Sequence, residues 1–223
     1  MKRSLCVVFD IDDTLYLERD YVRSGFETVG HWADKWLQTE GFGRRCWSKF
    51  AAGSRQSVFN DVLSETGKEP TPELVQALVE IYRTHTPSIK LAADASEALP
   101  AISDFADLAV ISDGPVASQS RKAEALDLGA FAAPILLTEA LGTAFRKPHP
   151  GAFEHVKRCR PAKLHVYVAD DPLKDFAAPR QLGWLTIRVR RPGGLHYAEE
   201  NSEAAPDLQL SDCAALPAML AQL

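Results

Sequence analysis

The sequence predicts an α/β protein: a doubly wound, mostly parallel sheet, interrupted just after its first strand by an inserted all-helical domain. Three observations carry this. Short apolar runs recur along the chain, separated by helix-length polar or mixed segments. Acids, hydroxyls and glycines gather directly after several of those runs, where open α/β sheets place their ligands. Between them, the stretch from about residue 19 to residue 86 carries no strand pattern, and its apolar residues follow helical spacing.

Taken in order, residues 5–9 form a valine-rich apolar run bounded by charges, the pattern of a strand buried on both faces. In the helical stretch, one helix is expected from residue 21 to about residue 37, carrying Phe26, Val29, Trp32 and Trp36 and ended by Gly41 and Gly43. A clearer one starts with Thr71 as N-cap and Pro72 in the first position, and sets Leu74, Leu78, Ile81 and Tyr82 on one face. Residues 108–111, 134–137, 164–168 and 185–189 then supply four further strands. Residues 190–194 read as a turn-rich connection, and residues 211–223 as a closing helix. The expected division is a core of residues 1–17 and 87–223 around a helical domain of residues 18–86.

Composition narrows the function. Twenty-five Lys and Arg against 30 Asp and Glu leave a formal net charge of −5, which argues against nucleic acid as the main partner. With 46% hydrophobic and 25% charged residues the chain is ordinarily globular, outside the disordered, collagen-like and disulfide-scaffold classes. Cys6, Cys46, Cys159 and Cys213 show no paired spacing, so no disulfide or zinc framework is expected. The N-terminus opens with Lys2 and Arg3 as a signal peptide would, but its apolar run stops at Asp10, and no stretch approaches a membrane span. A soluble, cytoplasmic protein without membrane partners follows as the expectation.

Four segments carry chemistry. The first strand runs into Asp10, Asp12 and Asp13, followed by Thr14: three carboxylates in four residues at a sheet edge. Two unit charges about 4 Å apart repel by roughly 4 kcal/mol at an effective dielectric near 20, so such a cluster protonates, splays into water or holds a cation. A helix-capping acidic turn is the plainer alternative. The second segment is Ser112, Asp113 and Gly114, a turn that offers a hydroxyl and backbone N–H groups to an anion, and that equally suits routine helix capping. The third is Lys147, held with Arg146 and His149 among Pro148 and Pro150, able to neutralise phosphate or simply to sit solvated in a loop. The fourth is Asp170, Asp171, Pro172 and Asp175, where Pro172 suits the first position of a helix that would return Asp175 to the strand end.

In this order the four segments resemble the haloacid dehalogenase superfamily, specifically its phosphatase members with a helical cap between the first and second motifs. The resemblance implies a Rossmann-like core and a Mg2+-dependent phosphatase working through an aspartyl-phosphate. Carried over, Asp10 matches the nucleophile and Asp12 the general acid and base, whose backbone carbonyl also reaches the metal. Ser112, Asp113, Gly114 and Lys147 match the phosphate-holding positions. Asp10, Asp12 and Asp170 match the metal site, with Asp171 and Asp175 matching positions that orient the metal's waters or Lys147, and Thr14 a further supporting residue. Dehalogenating members lack an acid at the Asp12 position, because a halide leaves without a proton and an alkoxide does not. Two departures stand out: Ala169 replaces a usual glycine, and Pro179 falls in the helix expected after Asp175.

The resemblance also places substrate choice in the cap, where Tyr16, Tyr21, Arg23 and Phe26 are candidates, although aromatics at helical spacing equally form a helical core. The expected partner is a small phosphorylated metabolite, and the expected assembly a monomer or homodimer. A phosphotransferase or mutase of the same superfamily, and a non-catalytic phosphate sensor resembling a receiver domain, are the alternatives. His149 reads as a loop residue.

Overall fold

The protein's structure, a computed structural model, describes residues 4–201 and 203–223; Lys2 and Arg3 lie outside them. Six strands, β1 (Leu5–Phe9), β2 (Asp107–Ser112), β3 (Ile135–Leu137), β4 (Leu164–Ala169), β5 (Leu185–Val189) and β6 (Leu208–Leu210), form one sheet in the order β3-β2-β1-β4-β5-β6. Every pairing is parallel. Nine α-helices are described: α1 (Glu18–Trp36), α2 (Phe42–Ala51), α3 (Val58–Glu65), α4 (Pro72–Thr84), α5 (Ala93–Ser103), α6 (Val116–Ala125), α7 (Gly151–Cys159), α8 (Ala177–Gln181) and α9 (Leu216–Leu220). The chain divides into two compact units, Met1–Glu18 with Lys90–Leu223, and Arg19–Ile89. Among the described residues, no helix is long and apolar enough to cross a membrane.

In the sheet unit, β1 is buried along its whole length, as a central parallel strand with helices on both faces must be. Alternate residues of β1, β2 and β4 (Cys6, Val8, Ala109, Ile111, Tyr167, Ala169) form one core face with Ala152, Phe153 and Val156 of α7. Because the strands are parallel and in register, with Phe9 opposite Val110 and Val168, all three motif strands end at the same edge. That register brings the first, second and fourth motifs together.

The helical unit has an aromatic core. Phe26 packs against Phe50, Phe59 and Tyr82, and Tyr21 against Tyr82 and His85, with ring centroids 4.8 to 6.2 Å apart. Tyr21 and Phe26, read above as specificity candidates, are instead members of this core. Thr71 caps α4 as expected, its hydroxyl accepting from Leu74 N at 3.3 Å. Gly43 does not end a helix. It lies inside α2, where an added Cβ would fall 2.3 Å from the Phe26 carbonyl oxygen, so its role is the close approach of α1 and α2.

Three further expectations change at the C-terminal side. Pro172 opens a turn rather than a helix, and α8 starts only at Ala177, with Pro179 in its first turn where no N–H is required. The closing helix is confined to α9; residues 211–215 form bends and a turn in which Asp212 accepts from Ala214 N and Cys213 N donates to Asp94. Strand β6 was not anticipated. Its neighbour Asp207 accepts from both the N–H and hydroxyl of Thr186, at 2.8 and 2.7 Å, which docks this short segment beside β5.

Arg191, just beyond β5, holds much of this end together. It donates to both Asp94 oxygens (2.8 and 2.7 Å) and to the Thr14 carbonyl (2.9 Å) while buried. Burial alone would raise the Asp94 carboxyl, but the Arg191 and Cys213 hydrogen bonds hold it below its ordinary value. Arg191→Ala is expected to cost about 2–4 kcal/mol in urea unfolding, because it leaves a partly buried carboxylate unpaired. Since the folded-state Asp94 pKa is depressed, that difference is full above about pH 4 and shrinks as the pH falls further. A difference that is independent of pH would show that the Asp94 pair is not its source.

Candidate active site

Asp10 follows β1 directly, and its N–H donates to the Val168 carbonyl of β4 at 2.9 Å, which fixes the carboxylate at the sheet edge. Lys147 reaches the same point from the loop before α7. Its ammonium is fully buried and lies 3.0 Å from Asp10 Oδ1, 2.7 Å from Asp175 Oδ1 and 3.0 Å from the Tyr167 hydroxyl. Burial opposes the charge on Lys147, but Asp10 and Asp175 outweigh it and raise its pKa well above the usual lysine value. Asp175 returns to the strand end by the Pro172 turn, its own N–H bonded to the Asp171 carbonyl (3.1 Å) and its Oδ2 accepting from Asp171 N (3.0 Å).

Carboxylate oxygens of Asp10, Asp170 and Asp175 lie within 4.8 Å of one another, all three residues buried. The pocket is short of positive charge. Burial, then the facing carboxylates of Asp175 and Asp10, pushes the Asp170 carboxyl well above its ordinary range. Burial likewise lifts Asp10 to about 6, against the pull of Lys147. Asp170 Oδ2 is buried with no hydrogen-bond partner among the described residues. Hard oxygen donors, an orphaned carboxylate oxygen and excess negative charge fit a divalent cation such as Mg2+.

Asp12 is placed differently. Both its oxygens accept from Lys122 (2.7 and 2.8 Å), Oδ1 from the Tyr16 hydroxyl (2.5 Å) and Oδ2 from Gln119 (3.0 Å). Burial would raise this carboxyl, yet Lys122 and these hydrogen bonds hold it below its ordinary value. Its side chain therefore stands outside the cation cluster, and Asp175 stands inside it. Tyr16, a specificity candidate from sequence, is a buried partner of Asp12. Asp13 is structural: its carboxylate accepts from Glu18 N (2.9 Å) and Leu195 N (2.6 Å).

On the other flank, the Ser112 hydroxyl ends β2 and donates to Gln119 (3.1 Å). The Asp113 carboxylate accepts from Thr138 (2.6 Å) and Lys147 N (3.1 Å), so it places the lysine loop, and Gly114 beside it takes φ 128°, a conformation that favours glycine. Thr14 contributes its carbonyl to Arg191, and His149 is an exposed loop residue accepting from Gly151 N. Arg23, in the helical unit, is exposed with its guanidinium 4.3 Å from the Trp47 ring centroid.

Sequence reasoning missed Lys122, Gln119, Tyr167 and Arg188. Tyr167 carried a signal, since a tyrosine in a strand buried on both faces needs a partner for its hydroxyl; here it bonds Asp175 at 3.3 Å. Arg188 is almost wholly buried and donates to the Asp170 carbonyl at 2.9 Å.

A family model for haloacid dehalogenase-like hydrolases matches residues 5–183. The chain belongs to that family. Among proteins similar to this haloacid dehalogenase-like hydrolase is a glyceraldehyde 3-phosphate phosphatase of Methanopyrus kandleri, 26% identical over 92% of this chain and 91% of the relative. Similar solved structures include a HAD-hydrolase of Bacillus subtilis bound to magnesium (TM-score 0.70, 19% identity, 98% and 99% of the two chains). Another is a 2-haloacid dehalogenase of Pseudomonas syringae (TM-score 0.67, 21% identity, 100% and 99%). At these identities the structures establish the fold.

Proposed function

We propose that this haloacid dehalogenase-like hydrolase is a Mg2+-dependent phosphatase of small phosphate monoesters. The observation that carries the reading is the second carboxylate, Asp12, two residues beyond Asp10 and held in its own hydrogen-bond network. Halide departs without a proton, whereas an alkoxide needs one. The phosphatase relative points the same way.

In this reading, an Asp10 oxygen attacks phosphorus, the ester P–O bond breaks, and Asp12 delivers a proton to the departing alkoxide. Water then attacks the aspartyl-phosphate, giving up a proton to Asp12 as the bond to Asp10 breaks and inorganic phosphate leaves. Lys122 favours the ionised form of Asp12 in the substrate-free site; a phosphate dianion beside it raises its proton affinity, so Asp12 takes up a proton from solvent as substrate binds, gives it to the alkoxide, accepts one from the attacking water and returns it to solvent when phosphate leaves. Lys147, Ser112 and the backbone N–H groups after it hold the phosphoryl oxygens. Asp10, Asp170 and the Asp12 carbonyl would hold Mg2+, with Asp171 and Asp175 in support. When bound, the ion supplies positive charge that admits a phosphate dianion to a carboxylate nucleophile and stabilises the transferring group.

The test is a panel of alkyl phosphates, glyceraldehyde 3-phosphate among them, with p-nitrophenyl phosphate and 2-chloropropionate, all assayed with Mg2+. Release of phosphate and no chloride is expected; chloride release with no phosphate would overturn the reading. EDTA is expected to stop turnover and Mg2+ to restore it. Binding of Mg2+ should also raise the unfolding midpoint, by about 2.7 kcal/mol of stability at a hundredfold excess over its Kd. An unchanged midpoint and rate would mean that the acidic cluster holds no ion.

A further inference from the structure

The environment of Asp12 carries one step further. We propose that Lys122 and Gln119, both on α6, are positioning residues for the acid–base step, holding Asp12 where it reaches the leaving oxygen and linking it to the phosphate-binding hydroxyl of Ser112. The inference rests on the role of Asp12 proposed above.

The geometry is specific. Gln119 and Lys122 stand three apart and share one helix face; both are buried. Lys122 Nζ is nearly equidistant from the two Asp12 oxygens, at 2.7 and 2.8 Å, a straddling contact that fixes the plane of the carboxylate. The Gln119 amide spans two motifs: Nε2 donates to Asp12 Oδ2 at 3.0 Å and Oε1 accepts from the Ser112 hydroxyl at 3.1 Å. Space for that amide comes from Gly114, where an added Cβ would lie 2.8 Å from Gln119 Nε2. The Ser112 hydroxyl has a single proton. Given to a phosphoryl oxygen, it is withdrawn from Gln119, so capture of phosphate at Ser112 alters the group that holds Asp12.

The test uses kcat/KM, which reports the step in which the ester bond breaks, for p-nitrophenyl phosphate and for the best alkyl ester of the panel. p-Nitrophenolate leaves without a proton and an alkoxide does not. Lys122→Met and Gln119→Leu are each expected to lower kcat/KM for the alkyl ester about 30-fold or more, a large part of the roughly 10^2 to 10^4-fold that general acid catalysis contributes, and to lower it for the aryl ester at least tenfold less. Lys122→Arg, which keeps a donor pair and charge, should recover most of the alkyl activity lost in Lys122→Met. Equal losses on both esters in variants with unchanged unfolding midpoints, no loss on either, or no recovery in Lys122→Arg would overturn the proposal. Asp12→Asn in the same assay separates the two claims. If it cleaves alkyl esters as fast as the unaltered protein, the role of Asp12 fails. If it loses them while the Lys122 and Gln119 variants do not, positioning alone fails.

Discussion

Asp10→Asn is expected to lower phosphate release from every ester by at least about 10^4-fold, the scale on which loss of a covalent nucleophile acts. The carboxamide keeps the shape of the side chain and loses the attacking oxygen's charge. Stability should move the other way. Asp10 is one of three buried carboxylates crowded together, and burial has already pushed its pKa up to about 6; removing that charge relieves repulsion on Asp170 and leaves Lys147 its shorter contact with Asp175. An unfolding midpoint equal to or above that of the unaltered protein, with no acid-stable phosphoenzyme and no turnover, is the expected result. Residual turnover above about 1% would transfer the nucleophile's role elsewhere.

That pairing of lost activity with retained stability is common where a site is organised for chemistry rather than for folding. It also explains which parts of this site are legible in a sequence. Asp10, Ser112 and Asp170 directly follow or close buried strands, and a buried parallel strand announces itself as an apolar run, so its end marks the ligand edge of the sheet. Lys147 is legible through its prolines and its place between motifs. Lys122 and Gln119 are not, because in α6 they look like the polar face of an ordinary helix; only the parallel register of β1 and β2 turns that face toward Asp12. Arg188 falls inside the strand run of residues 185–189 with nothing local to mark its partner, which lies in the fourth motif: it is buried against the Asp170 carbonyl. Strand β6 is three residues long and depends on Asp207 meeting Thr186, a contact with no local periodicity. The Pro172 turn shows the limit of reading caps from residue type: proline at a helix start is favoured, but Asp175 Oδ2 takes the Asp171 N–H, and this side-chain bond closes a tight turn before a helix can propagate.

Lys147→Met is expected to damage both activity and stability, and the two losses should respond differently to Mg2+. Lys147 has no exposed side-chain surface and three oxygen partners. Without it, Asp10 and Asp175 remain buried with no ammonium between them, a change that costs about 3–5 kcal/mol when one partner of a buried pair is removed. Part of that charge is of the kind a divalent cation supplies, so millimolar Mg2+ should recover a measurable share of the unfolding midpoint through binding to the folded state. Activity should not follow. The ammonium holds a phosphoryl oxygen in this mechanism, and loss of one such preorganised donor lowers kcat about 10^2 to 10^3-fold, a deficit that an ion held by Asp10 and Asp170 does not replace. Calorimetry with and without Mg2+, beside phosphate release at saturating ion, checks both halves. Full recovery of turnover by Mg2+ would show that Lys147 serves the acidic cluster alone and makes no contact with the transferring phosphoryl group.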